Sequence, residues 1–182
     1  RFAGGIAQTA VVAIALILLF GGFIFYNTNV LNEYTPASER GAKQAEYEKR
    51  YARYADVAQP TIVDVALRVE LYPEEGAAEL SGTYGLVNRT GEPIDSVHVH
   101  VDPEVEVRSL SVGGEAAPVA EDDEVGYRIF ALGRPLDPGD SLELAFDVSY
   151  RPRGFPNDRR PTDVVANGTY FGRSWLPYVG YQ

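Results

Sequence analysis

The order of apolar and polar positions divides the chain into stretches with different periods. From Ala3 to Tyr26 the run AGGIAQTAVVAIALILLFGGFIFY has no polar face; it holds no charge and one amide, Gln8. About 20 apolar residues suffice to cross a hydrocarbon core roughly 30 Å thick. A lone segment in lipid must satisfy its own backbone by helical hydrogen bonds. The pattern therefore predicts a transmembrane helix over 3–26. A buried core helix of a water-soluble protein is usually shorter, about 10–14 apolar residues. A cleaved signal peptide has an apolar stretch of about 7–15 residues followed by a small-residue site, and FIFYNTN supplies none. The chain begins at Arg1 and has no Met, and it reads as a segment of a longer frame.

Residues 27–60 read as a juxtamembrane linker and helix. Thr35-Pro36 pairs a hydroxyl N-cap with a Pro at the first helical position. In EYEKRYARYADVA, Tyr47, Tyr51 and Tyr54 are four and three apart and share one helical face. That stripe suits packing on the domain that follows or on a headgroup layer, or else docking of a partner. Gly41 weakens the first turns, so order is expected to set in after it, and Gln59-Pro60 to end the helix.

At Thr61 the period becomes two. In TIVDVALRVELY, Val63, Val65, Leu67, Val69 and Leu71 alternate with Asp64, Arg68 and Glu70, the pattern of a half-buried antiparallel strand. LSGTYGLVN follows after PEEGAAE, with Gly82 and Gly85 as weak points or bulges. Then come IDSVHVHVD, VEVRSLSV, GYRIFAL and, after the turn LDPGDS, LELAFDVSY, whose Leu142, Leu144, Phe146, Val148 and Tyr150 share a face. Short alternating strands separated by Gly/Pro turns predict an antiparallel β-sandwich or open barrel of about seven strands over 61–150. The fold class is mainly β: a sandwich preceded by one transmembrane helix and a juxtamembrane helix.

From 151 to 182 the alternation fails. RPRGFPNDRRPTD carries Arg151, Arg153, Arg159 and Arg160, VVANGTYF reads as one more short strand, and GRSWLPYVGYQ is rich in aromatics. Tyr170, Phe171, Trp175, Tyr178 and Tyr181 need a surface to pack on, which suggests a seam to a further domain.

Charge and candidate chemistry narrow the function. A net charge of -10 argues against nucleic acid, whose phosphates call for Lys and Arg. With no Cys, the chain has no disulfide, thiolate zinc site or cysteine nucleophile. His98, His100 and Asp102 sit at alternate positions of one strand. Their His-x-His-x-Asp spacing is that of metallo-β-lactamase-type hydrolases, but Pro103 stands where that motif continues with His. These two are the chain's only histidines. Val97, Val99 and Val101 take the buried side, so the histidines are expected to face solvent or a neighbouring domain. The run Glu121-Asp122-Asp123-Glu124 lacks calcium-loop spacing and reads as a solvated hairpin loop. The arginines of 151–160 suit a surface or domain-contact loop better than a phosphate site. Asn88-Arg89-Thr90 and Asn167-Gly168-Thr169 match the glycosylation triplet, a weak signal. H-E-x-x-H, G-x-S-x-G and the Walker loop are absent from the sequence, and no catalytic, cofactor-binding or metal-binding set assembles from it.

The succession VALRVELYPEEGAAELSGTYGLVN, PIDSVHVHV with SLSVGG, and GYRIFALGRPLDPGDSLELAFDVSY resembles the N-terminal β-sandwich domain of the aminopeptidase N family of zinc metallopeptidases. NGTYFGRSWLPYVGY sits where that domain hands over to the catalytic one. The hydrophobic span followed by FYNTNVLNEY and a Tyr-rich helix is similar to bacterial proteins that fuse an ABC-type permease membrane region to such a peptidase. The resemblance implies a membrane-anchored, non-catalytic domain covering one side of a peptidase cleft. Zinc and the catalytic Glu would then lie in a downstream domain. That family's sandwich can lend a Glu or Gln to the substrate's α-amine; the matching neighbourhood, Asn167 to Phe171, has neither. Expected partners are the lipid bilayer, the downstream catalytic domain and permease helices. The expected location is the bacterial inner or plasma membrane. Arg40, Lys43, Lys49 and Arg50 follow the span, interleaved with acids that count little in the positive-inside rule; an outward-facing C-terminal domain is expected. The alternative is a membrane-tethered immunoglobulin-like binding or docking module without peptidase activity, and an accessory domain docking on permease partners overlaps with the fusion.

Overall fold

A computed structural model describes residues 2–32, 34, 36–114, 118–156, 163–170 and 172–181. The chain forms two compact units, Arg1–Ala37 with Pro152–Pro161, and Ser38–Arg151 with Thr162–Gln182.

In the first unit, helix α1 (Phe2–Phe25) passes into a π-helical turn, Tyr26–Leu31. Its side chains from Gly5 onward are exposed, so this is not a core helix of the chain. Gly5–Leu31 is long and apolar enough to cross a membrane by length and composition, a test that a signal sequence near an N-terminus also passes.

The second unit is mainly antiparallel β. Strands β1 (Thr61–Tyr72), β2 (Ala77–Val87), β3 (Ile94–His100), β4 (Glu106–Val112), β5 (Pro118–Asp122), β6 (Tyr127–Leu136) and β7 (Ser141–Tyr150) are joined by three two-residue strands, β8 (Val164–Val165), β9 (Gly168–Thr169) and β10 (Tyr178–Val179). One sheet has the order β1-β2-β7-β4 and the other β10-β3-β6-β5. Their packing is that of a β-sandwich. The core forms because alternate residues of paired strands stand together: Leu80 opposite Val148, Tyr84 opposite Leu144, Val97 opposite Phe130, all buried. Burying each such side chain stabilises by about 1.5–3 kcal/mol. The LDPGDS turn closes as its composition suggests, with Gly139 N–H donating to Asn88 O and Asp140 N–H to Asp137 O. Gly126, at φ +69°, is required by close approach, since a Cβ there would lie 1.7 Å from Val101 O.

Several expectations are corrected. Strand β1 is not half-buried: every residue from Thr61 to Val69 is exposed. It is an edge strand, and Val65, Leu67, Val69 and Leu71 stand opposite Tyr84, Gly82, Leu80 and Ala78 without the cover that Tyr84, Leu80 and Ala78 receive. Gly82 lies in a regular register on both sides; the bulge falls at 62–64 of β1, next to Gly85. Strand β5 was hidden by its short length and acidic end, and Glu121 and Asp122 belong to it rather than to a loop. Helix α2 (Ala37–Tyr51) begins before Gly41 and ends in a 3-10 turn, Ala52–Tyr54, well before Pro60. Thr35, its expected cap, lies outside the described residues. VVANGTYF is a tight hairpin rather than a strand. The C-terminal aromatics largely pack on their own unit. Trp175 stacks on Tyr150 at 4.2 Å, and Tyr181 on Tyr47 at 5.5 Å. Tyr170 is exposed, and Phe171 lies outside the described residues.

Candidate functional site

A cluster of polar and titratable side chains lies on the outer face of the second sheet. Register places His98 opposite Ile129 and His100 opposite Tyr127, with Asp122 opposite Tyr127 on the other side. The valines of β3 point to the core, as its alternation predicts. The histidines, however, do not stand open to solvent: His98 is buried and His100 half-buried. The tyrosine stripe of α2 and the turn after it cover them: Tyr54 meets the His98 ring edge-on at 4.8 Å, and Tyr47 lies 6.1 Å from His100. Tyr51 packs on Tyr127 at 4.4 Å. Of the three destinations open to the stripe, it takes the domain that follows.

His98 is 2% exposed. Its Nδ1 lies 2.8 Å from the Tyr127 hydroxyl and its Nε2 3.2 Å from Ser96 Oγ. Burial holds its pKa below the ordinary value. Burial lowers that of His100 too, with the Val125 backbone and Asp102 opposing. Gln59 seals the edge: its amide donates to Ser96 O at 3.1 Å and accepts from His98 N–H at 2.7 Å. The amide thus satisfies strand β3 where a neighbouring backbone would.

Of the acidic run, Asp123 and Glu124 form the expected exposed hairpin turn, whereas Asp122 at the end of β5 is an anchor. Asp122 Oδ2 accepts from the Tyr51 hydroxyl at 2.5 Å and from Arg50 at 3.2 Å. Tyr51, followed by burial and Arg50, sets the balance that holds the Asp122 carboxyl below its usual range. Burial first, and then that carboxylate, push the Tyr51 phenol up to about 12. Arg128 pairs with Glu121 and Asp123, both at 2.7 Å. Sequence reasoning missed Gln59 and Asp122 because an isolated amide and an acidic turn carry no periodic signal.

This arrangement fits no metal. Both ring nitrogens of His98 are occupied, and among the described residues no group of three or more His, Cys, Asp or Glu stands where it could hold an ion. The zinc implied by the family resemblance therefore has no site among these residues. The arginines disperse: Arg151 pairs with Glu75 and Glu79 and lies over Tyr72, Arg153 is exposed, and Arg159 and Arg160 lie outside the described residues. Asn88 is buried, donating to Glu92 O and Leu136 O, and is no glycosylation acceptor. Asn167 is exposed in the β8–β9 turn.

No family model and no curated protein matches the chain. Among solved structures it is similar to an M1 zinc metallopeptidase from Deinococcus radiodurans: 19% identity, over 56% of this chain and 23% of that one, TM-score 0.40. A mutant of an M1 zinc metallopeptidase from the same organism, bound to a Tyr-Ser-Ala substrate, gives 17% identity over 65% of this chain and 29% of that one, TM-score 0.43. A two-domain M1 zinc metallopeptidase mutant bound to L-tryptophan gives 19%, 51%, 21% and 0.40. The chain spans less than a third of the length of each of these structures.

Proposed function

We propose that this chain is a membrane-anchored, non-catalytic domain of a zinc aminopeptidase, covering one side of its cleft, within a protein that also carries an ABC-type permease region. The ordered series of strand motifs supports the peptidase association, and the exposed apolar helix supports the anchor. One observation carries the accessory role. The apolar residues Val63, Val65, Leu67, Val69 and Leu71 of β1 are 36–53% exposed along an edge of the sandwich. A free-standing domain in water gains by covering such a row; a domain docked on a peptidase domain keeps it for the contact. The His98–Tyr127 cluster is then the internal lock that fixes α2, with no substrate role.

The test is zinc content together with aminopeptidase activity of the full-length protein in detergent. Stoichiometric zinc with chelator-sensitive cleavage that Leu67→Asp abolishes without unfolding the sandwich is the expected result. No zinc and no cleavage would leave a tethered binding or docking module.

A further inference from the structure

The first unit holds a feature that an anchor alone does not require. At the end of α1, Asn27 and Thr28 are buried. Their side chains donate back to the helix, Asn27 Nδ2 to Phe23 O and Thr28 Oγ1 to Ile24 O, both at 2.9 Å. Against this turn lies the segment Pro152-Arg153-Gly154-Phe155-Pro156, more than a hundred residues away in sequence and part of the same compact unit. Asn32 Nδ2 donates to Asn27 O at 2.8 Å and to Arg153 O at 2.7 Å, tying segment and helix together. Phe155 packs on Phe23 with ring centroids 5.8 Å apart. Gly154, at φ +59°, is pressed so close that a Cβ would lie 2.4 Å from Asn27 Oδ1 and 3.0 Å from Leu31 Cδ1.

Depth follows from the helix. A span of about 20 residues ending near Phe25 places Phe23 within one turn of the boundary between acyl chains and headgroups. Phe155, held beside Phe23, shares that level. Arg153, two residues away, is exposed, and an Arg has the long aliphatic stem and planar guanidinium suited to a phosphate at such a boundary. Prolines at both ends remove two backbone donors that the interface would otherwise have to satisfy.

We propose that residues 152–156 form an interfacial collar seated on the end of α1, with Phe155 at the acyl–headgroup boundary and Arg153 on phospholipid phosphate. This rests on reading α1 as a membrane span. Nitroxide labels test it, since the chain has no Cys and each introduced one is unique. The full chain in phospholipid vesicles carries a label at Ile14→Cys, Arg153→Cys or Phe155→Cys. Collision with oxygen and with a water-soluble nickel chelate then reads depth. The expected order is Ile14 deepest, Phe155 just beneath the phosphates and Arg153 at them. Adding Gly154→Ala should shift the Phe155 label toward aqueous values while Ile14 is unmoved. Aqueous values at Arg153 and Phe155 with Ile14 in hydrocarbon would overturn the collar and spare the span. An aqueous Ile14 would overturn both.

Discussion

Strands β1 and β3 carry the same kind of message, alternate apolar residues with polar ones between, and meet opposite fates. On β3 the valines enter the core, and the polar side, His98 and His100, is covered as well, by tyrosines of the chain's own α2 and its following turn. On β1 the apolar side faces the same way as the core residues of β2, yet remains exposed. Alternation tells which residues share a face. It does not tell whether anything lies on that face, because cover comes from other elements whose placement is a tertiary matter. The difference teaches that the chain completes its polar cluster by itself and leaves its apolar row open.

Breaking the covered side should cost most. Tyr127→Ala removes the ring on which Tyr51 and His98 converge, and a buried aromatic truncated to Ala costs about 3–5 kcal/mol. Denaturant unfolding of the full chain in detergent, followed by near-UV circular dichroism, measures it. The open row sharpens the contrast. Leu80→Ala in β2 should cost about 2–5 kcal/mol, whereas Leu67→Ala opposite Gly82 should cost under about 1 kcal/mol. Equal losses in the same assay would mean that β1 is covered after all.

A smaller effect is expected at the anchor. Tyr51→Phe deletes a charge-assisted hydrogen bond to Asp122 and should cost about 1.5 kcal/mol. The same bond would no longer hold the Asp122 carboxyl down. Acid should loosen the lock in a defined sense. His98 has a folded pKa below its ordinary 6.5. Its contribution is therefore complete above about pH 6.5 and declines as pH falls below it, by at most about 1.4 kcal/mol per pH unit for each proton taken up. Asp122, depressed below its ordinary 3.8, adds a second loss at lower pH. In urea titrations between pH 7 and pH 5, His98→Asn should flatten the slope, His100 supplying what remains. Smallest of all, Arg50→Ala should leave the midpoint unmoved, because its pairs are solvated and screened.

The strands from β2 to β4, with β6 and β7, were legible because period two is local and strong. Leu80, Tyr84, Val97, Phe146 and Val148 all face inward as their spacing requires. The tyrosine stripe was also legible as a stripe. Its target was not, since Tyr47, Tyr51 and Tyr54 match a headgroup layer, a partner or a sheet equally well until Tyr127 is placed beneath them. Asp122 was misread because acidity at a turn normally means solvent, and here one strand pairing turned it toward Tyr51.

The sequence by itself determined an apolar helix, a tyrosine-faced helix and an antiparallel sandwich, since hydrophobic period and turn chemistry act between near neighbours. Only the tertiary structure decided that His98 is buried and His100 half-covered, that Asp122 holds a helix, that β1 stands open and that residues 152–156 close on the end of α1. Each of these depends on which distant surface arrives to exclude water. That is set by the packing of the whole chain, and no local pattern records it.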